Sequence, residues 1–159
     1  MLSYKTILVA VDGSECSNRA LDLAILLAKQ FGSTLVLAHV LDMQSFSTLW
    51  PEKPRFGTPK KNAVTGEEEL HYSTIGDYRR EYSTRVVEGA AAKIPAGIPF
   101  RIAYETGSPR RELLKMIRAY KVDMAVVGSR GLGRLAGILL GTVSGYVVKH
   151  TDIPEWVVK

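Results

Sequence analysis

Long apolar runs are missing from this chain of 159 residues. None approaches the roughly 20 residues needed to span a bilayer, so no membrane partner is expected. Cysteine is almost absent: Cys16 stands alone, no internal disulfide can form, and nothing points to an oxidising compartment. The first residues carry Lys5, then a short apolar run, then Asp12 and Glu15. That order does not read as a secretory leader, and a cytoplasmic protein is expected. Aromatic residues make up 8% of the chain and do not interleave with the basic ones. With no nucleic-acid motif present, no specific nucleic-acid partner is expected. There is no GxxxxGK[ST] sequence, which excludes a Walker-type loop, and there is no internal repeat or low-complexity tract.

What is present is ordinary globular composition, 46% hydrophobic and 23% charged. The length suits a single domain over residues 1–159, and such a chain buries roughly 70% of the surface its unfolded form exposes. The net charge of +5 is lopsided: residues 1–108 balance twelve Lys/Arg against twelve Asp/Glu, and residues 109–159 carry nine against four. A basic last third suits an anionic ligand, although a solvated basic helix face has the same composition.

Ile7-Leu8-Val9-Ala10-Val11 is a continuous apolar run closed by Asp12-Gly13, the pattern of a strand buried on both faces. Ser14 then offers a helix N-cap, with Glu15 where the helix dipole favours an acid. Ala20, Leu23, Ala24, Leu27, Ala28 and Phe31 fall on one helical stripe, ended by Gly32. Thr34 to Val40 reads as a second buried strand, completing a βαβ unit with parallel strands. Residues 42–66, rich in Pro and Gly and holding Phe46, Trp50 and Phe56, read as a long variable loop, and residues 67–93 as mostly helix. A third strand over residues 100–105 precedes Ser108-Pro109, a helix start. Leu113, Leu114, Ile117 and Tyr120 give this helix its apolar face. A fourth strand over residues 123–127, a glycine-rich stretch, a helix over residues 142–149 and a short strand Pro154-Glu155-Trp156-Val157-Val158 complete the chain. Five strands alternating with four helices predict an α/β fold, an open, doubly wound parallel sheet of order 3-2-1-4-5 with helices on both faces.

In such sheets ligands sit beyond the carboxyl ends of the strands, where the strand order reverses. Two segments there carry suitable chemistry. One is Ala10-Val11-Asp12-Gly13-Ser14. The other runs from Gly128-Ser129-Arg130-Gly131 to Gly141-Thr142-Val143-Ser144. Glycines allow close backbone approach, and a helix start presents free N–H groups to an anion. Thr142 and Ser144 add hydroxyl donors. Arg130 is equally suited to clamp a phosphate or to lie exposed. Gly131-Leu132-Gly133-Arg134-Leu135-Ala136 fits the GxGxxA dinucleotide fingerprint, but only a helix and one short strand follow it, whereas the fingerprint belongs behind a first strand. His39 follows a buried strand and suits packing or hydrogen bonding better than catalysis. His71 and His150 lack the partners of a zinc site.

Gly128-x2-Gly131-x9-Gly141-Thr142 matches the G-x2-G-x9-G-[ST] motif of the universal stress proteins, and the chain resembles that family also in Ile7-Leu-Val-Ala-Val-Asp12-Gly-Ser14 and Leu37-Ala-His39-Val40. The likeness covers residues 4–41 and 98–159 well and residues 42–97 poorly. It implies an ATP-binding member with a regulatory or stress-response role, taking ATP, AMP or ADP with little or no hydrolysis. It also implies that any Mg or Mn ion is held by the phosphates. By position, Ala10, Val11 and Asp12 contact ribose and adenine, Val40 meets the adenine edge through its backbone, and Val127 and Gly128 lie against the nucleoside. Gly131, Gly141, Thr142, Val143 and Ser144 hold the phosphates. The family's usual homodimer pairs the last strand, which here carries Glu155 and Trp156 in place of small aliphatics. Two other function classes fit parts of the sequence: a slow ATPase in which Asp12 positions a metal, and a nucleotide-free interaction module. No general base paired with a nucleophile stands out in the sequence.

Overall fold

The computed structural model describes residues 3–42, 60–61, 68–69, 75–131 and 141–159. In chain order the elements are β1 (Thr6–Ala10), α1 (Glu15–Phe31), β2 (Thr34–Leu41), β3 (Lys60–Lys61), β4 (Glu68–Glu69), α2 (Ile75–Ala92), β5 (Phe100–Thr106), α3 (Pro109–Ala119), β6 (Met124–Gly128), α4 (Thr142–His150) and β7 (Glu155–Val158). One five-stranded sheet has the order β5-β2-β1-β6-β7, and all four pairings are parallel. Numbered among themselves, these strands run 3-2-1-4-5, the order expected from the sequence.

The apolar runs form strands because both faces of the sheet are covered. On one face Ile7, Val9, Leu35, Leu37, Met124 and Val126 pack with Ala20, Leu21, Ala24 and Ala28 of α1 and Ala90 of α2. On the other, Leu8, Val36, Ala38, Ala103 and Ala125 pack with Leu113, Leu114, Met116 and Ile117 of α3 and Val147 of α4. The helices therefore change sides between β1 and β6. At the opposite end, Asp123 locks the register: one carboxylate oxygen accepts the backbone N–H groups of Lys5 at 2.8 Å and Thr6 at 2.9 Å.

Two local expectations change. Glu68–Glu69 is not helical; it pairs antiparallel with Lys60–Lys61, and α2 starts at Ile75. Strand pairing here overrides local helix propensity. The buried stripe of α1 runs through Ser17, Ala20, Leu21, Ala24 and Ala28, while Phe31 lies partly exposed and meets Tyr4 edge-on at 5.1 Å. The basic excess of the last third is spread over helix surfaces: Lys115 pairs with Glu112 at 2.9 Å, Arg110 lies over the Tyr146 ring, and Lys149 and His150 sit in the last turn of α4, where the dipole favours cations. Phe46, Trp50, Phe56, Gly133, Arg134 and Gly137 lie outside the described residues.

At the sheet edge, β7 pairs only with β6 among the described residues. Thr151 donates its hydroxyl to one carboxylate oxygen of Glu155, and the other oxygen is buried with no partner. Burial pushes the Glu155 carboxyl above its ordinary range, against the effect of the Thr151 bond.

Leu37 is 0% exposed and Leu26 is 63% exposed. Leu37→Ala is expected to cost about 3 kcal/mol of unfolding free energy, with cavity formation adding to lost transfer energy. Leu26→Ala is expected to stay within about 0.5 kcal/mol. Urea denaturation of both variants checks this.

Candidate functional site

The carboxyl ends of β1 and β6 meet the start of α1 at very close range. A Cβ at position 128 would lie 3.0 Å from the Cys16 carbonyl carbon, from Cys16 Cβ and from the Ser17 nitrogen. Two of these atoms are backbone, which would have to shift to admit a side chain, so glycine is favoured there. The first turn of α1 is capped as expected, Ser14 Oγ accepting the Ser17 N–H at 3.2 Å. That leaves Asp12 free of the capping task. Its Oδ1 accepts the Ser14 N–H at 2.8 Å, and its own N–H donates to Ser17 Oγ at 3.3 Å. Its other carboxylate oxygen would lie 2.7 Å from a Cβ at Gly131. The two segments singled out in the sequence are therefore neighbours, joined also by a long Ser14 Oγ–H contact to the Arg130 carbonyl at 3.5 Å.

The glycine-rich segment leads into α4 through Ser129. The Ser129 N–H donates to the Val158 carbonyl at 2.7 Å, and its own carbonyl accepts the Gly141 N–H at 2.6 Å. Gly141 is the N-cap of α4 and no side chain caps the helix there. The amides of Thr142, Val143 and Ser144 thus open the helix without an intrahelical partner. Thr142 is exposed, and so are Arg130 and Gly131.

Two expected donors are engaged elsewhere. The Ser144 hydroxyl is 2% exposed and donates to the Gly141 carbonyl at 3.1 Å and the Ser129 carbonyl at 3.4 Å, as a serine in a first helical turn often does. Only its backbone amide remains for a ligand. The Gly141 amide is spent on Ser129, so Gly141 shapes the turn; a Cβ there would lie 2.8 Å from the Ser129 oxygen. Val11 and Val127, 5% and 2% exposed, have core side chains, whereas Ala10, Val40, Val143 and Gly128 are half-buried.

His39 is packed and hydrogen-bonded, as expected. Its Nδ1–H donates to the Val11 carbonyl at 2.7 Å, which leaves Nε2 to accept the Ser83 hydroxyl at 2.9 Å. Burial holds its pKa below the usual histidine range, outweighing the Val11 bond and the Asp12 charge. Sequence reading missed Tyr82 and Ser83 of α2, because their partners lie far along the chain. Tyr82 donates its hydroxyl to the Asp12 carbonyl at 3.0 Å. The one local sign was Gly13, whose φ of +84° and closeness to Tyr82 admit no side chain.

Fold and site define a doubly wound α/β domain whose switch point brings the Asp12 carboxylate at the β1 side near the uncapped amides at the start of α4. The universal stress protein family model matches residues 3–159, and the chain belongs to that family. It is 29% identical over 160 residues to Universal stress protein YxiE of Bacillus subtilis, covering 98% of this chain and 99% of that one. Among solved structures it resembles a universal stress protein in complex with cAMP, with a TM-score of 0.63 and 24% identity over 99% of this chain and 98% of the other. It likewise resembles the universal stress protein from Archaeoglobus fulgidus in complex with dAMP, with a TM-score of 0.64 and 18% identity over 99% of this chain and 100% of the other.

The His39 environment fixes the sign of one pH effect. Its folded pKa lies below the ordinary 6.5, so on acidification the unfolded chain takes up the proton first. The stability this residue contributes is expected to be whole above about pH 6.5 and to fall as pH drops through the folded value. Urea midpoints of the wild type and His39→Gln, compared from about pH 8 to 5, should converge on the acid side.

Proposed function

We propose that the chain is a regulatory adenine-nucleotide-binding protein, taking ATP, ADP or AMP in the cleft between β1 and β6 without steady turnover. One observation carries this reading. The Ser129 carbonyl holds the uncapped start of α4 beside the same backbone that receives the Asp12 carboxylate at Gly131. An ionised carboxylate is acceptor-only, so Asp12 suits the hydroxyls of a ribose. The amides of Thr142, Val143 and Ser144 and the exposed Arg130 suit phosphate oxygens. Sugar and phosphates are adjacent in a nucleotide, as these two groups are adjacent in the fold. Ala10, Val11, Val40, Val127 and Gly128 then form the wall for nucleoside and base, Val11 and Val127 through backbone because their side chains are buried. Relatives of the same fold in complex with cAMP and dAMP support the class of ligand.

A divalent Mg or Mn ion that accompanied ATP would take its ligands from phosphate oxygens. Among the described residues no group of three His, Cys, Asp or Glu side chains is placed to hold a metal. The regulatory reading fits the His39–Ser83 pair, a base and a hydroxyl that are hydrogen-bonded but both buried. A cytoplasmic homodimer of single-domain protomers is part of the proposal, with the outer edge of β7 as the dimer seam and residues 42–66 as a variable appendage. A bare sheet edge is suited to pairing with a second copy.

Mass spectrometry of ligand released from freshly purified, denatured protein tests the class; an adenine nucleotide is expected. In calorimetry, Arg130→Ala is expected to weaken ATP at least about tenfold, the loss of one charge-assisted hydrogen bond. Adenosine should change less than about twofold. Equal weakening of both ligands contradicts the phosphate cradle.

A further inference from the structure

α2 lies on the α1 face of the sheet and reaches the tip of β1 twice. Tyr82 donates to the Asp12 carbonyl at 3.0 Å. Ser83, 1% exposed, donates to His39 Nε2 at 2.9 Å, and His39 Nδ1–H donates to the Val11 carbonyl at 2.7 Å. Two consecutive residues of one helix therefore hold two consecutive carbonyls of the turn that carries Asp12. The turn is pressed against the helix: a Cβ on Gly13 would lie 2.8 Å from the Tyr82 hydroxyl and 3.1 Å from Val86 Cγ2. α2 is seated by Val87 and Ala90, both buried, with Val86 packed beside them. Each buried carbonyl needs a donor, and losing one costs more than a hydrogen bond in water gains.

We propose that Tyr82 and Ser83, the latter through His39, are positioning residues that fix the Val11-Asp12-Gly13 backbone for the sugar end of the ligand, so that α2 docking and nucleoside binding are coupled. The coupling rests on the nucleotide reading of the cleft; the bracing of the turn does not. Coupling is reciprocal. A nucleoside that stiffens the Asp12 turn stabilises the seat of α2, and a partner that pulls α2 away weakens the nucleoside. The α4 side of the cleft receives none of these bonds, so phosphate binding is independent of them.

The test compares wild type, Tyr82→Phe and Ser83→Ala with two probes, adenosine and inorganic tripolyphosphate, by calorimetry, and follows amide hydrogen exchange of residues 11–14 in the ligand-free proteins. Each substitution should weaken adenosine about three- to tenfold, the range for one lost hydrogen bond, leave tripolyphosphate within about twofold, and speed exchange at residues 11–14. In an Asp12→Ala background, Tyr82→Phe should cost adenosine less than it does in the wild type, since part of its effect runs through the Asp12 carboxylate. Unchanged adenosine affinity in both variants, or equal loss of both probes, overturns the proposal. A wild type that binds neither probe defeats the nucleotide reading and the coupling with it. The bracing is then judged by exchange alone, and unchanged exchange at residues 11–14 overturns that as well.

Discussion

The first turn of α1 lies so close to the end of β6 that a side chain at position 128 would press directly on its backbone. Everything at the cleft depends on this approach. It sets the spacing between the tips of β1 and β6, and so decides that the Asp12 carboxylate falls against Gly131. It also leaves Ser129 buried beneath the turn, with a carbonyl free to anchor Gly141. A larger residue at 128 would push α1 outward, part Asp12 from Gly131 and leave the start of α4 facing a wider gap.

Charge is arranged more locally than the composition implies. The excess of basic residues in the last third lies mostly on α3 and at the end of α4, where pairing, stacking and the helix dipole account for it. On the proposed reading, an anion would be held instead by the uncapped backbone of α4 and by Arg130. On the proposed nucleotide reading, the Asp12 carboxylate at the β1 tip would disfavour a phosphate there and accept a sugar hydroxyl. A ligand with phosphates at one end and a hydroxylated sugar at the other satisfies both walls.

Much of this was legible in the sequence, and for physical reasons. Strands buried on both faces must be continuous apolar runs, so β1, β2 and β6 stand out, and Ser14 and Ser108-Pro109 mark helix starts by local chemistry alone. Once the strand order is known, Asp12 and Gly131 must be neighbours. The start of α2 was not legible, because pairing between β3 and β4 is decided by partners distant in sequence. Neither was the use of Ser144: a serine in the first turn can face a ligand or bond back to the preceding carbonyls, and its hydroxyl does the latter. Tyr82 and Ser83 were invisible for the same reason as β4. Nothing in their neighbourhood along the chain foretells that they meet Asp12 and His39.

The central claim is that the β1 tip and the start of α4 form one binding surface. Titrating ATP into isotopically labelled protein and following backbone amide resonances tests it directly. The account predicts that Asp12, Gly131, Thr142, Val143 and Ser144 shift together along one binding curve. Shifts confined to other elements, or amides of β1 and α4 that respond at different ATP concentrations, would contradict it.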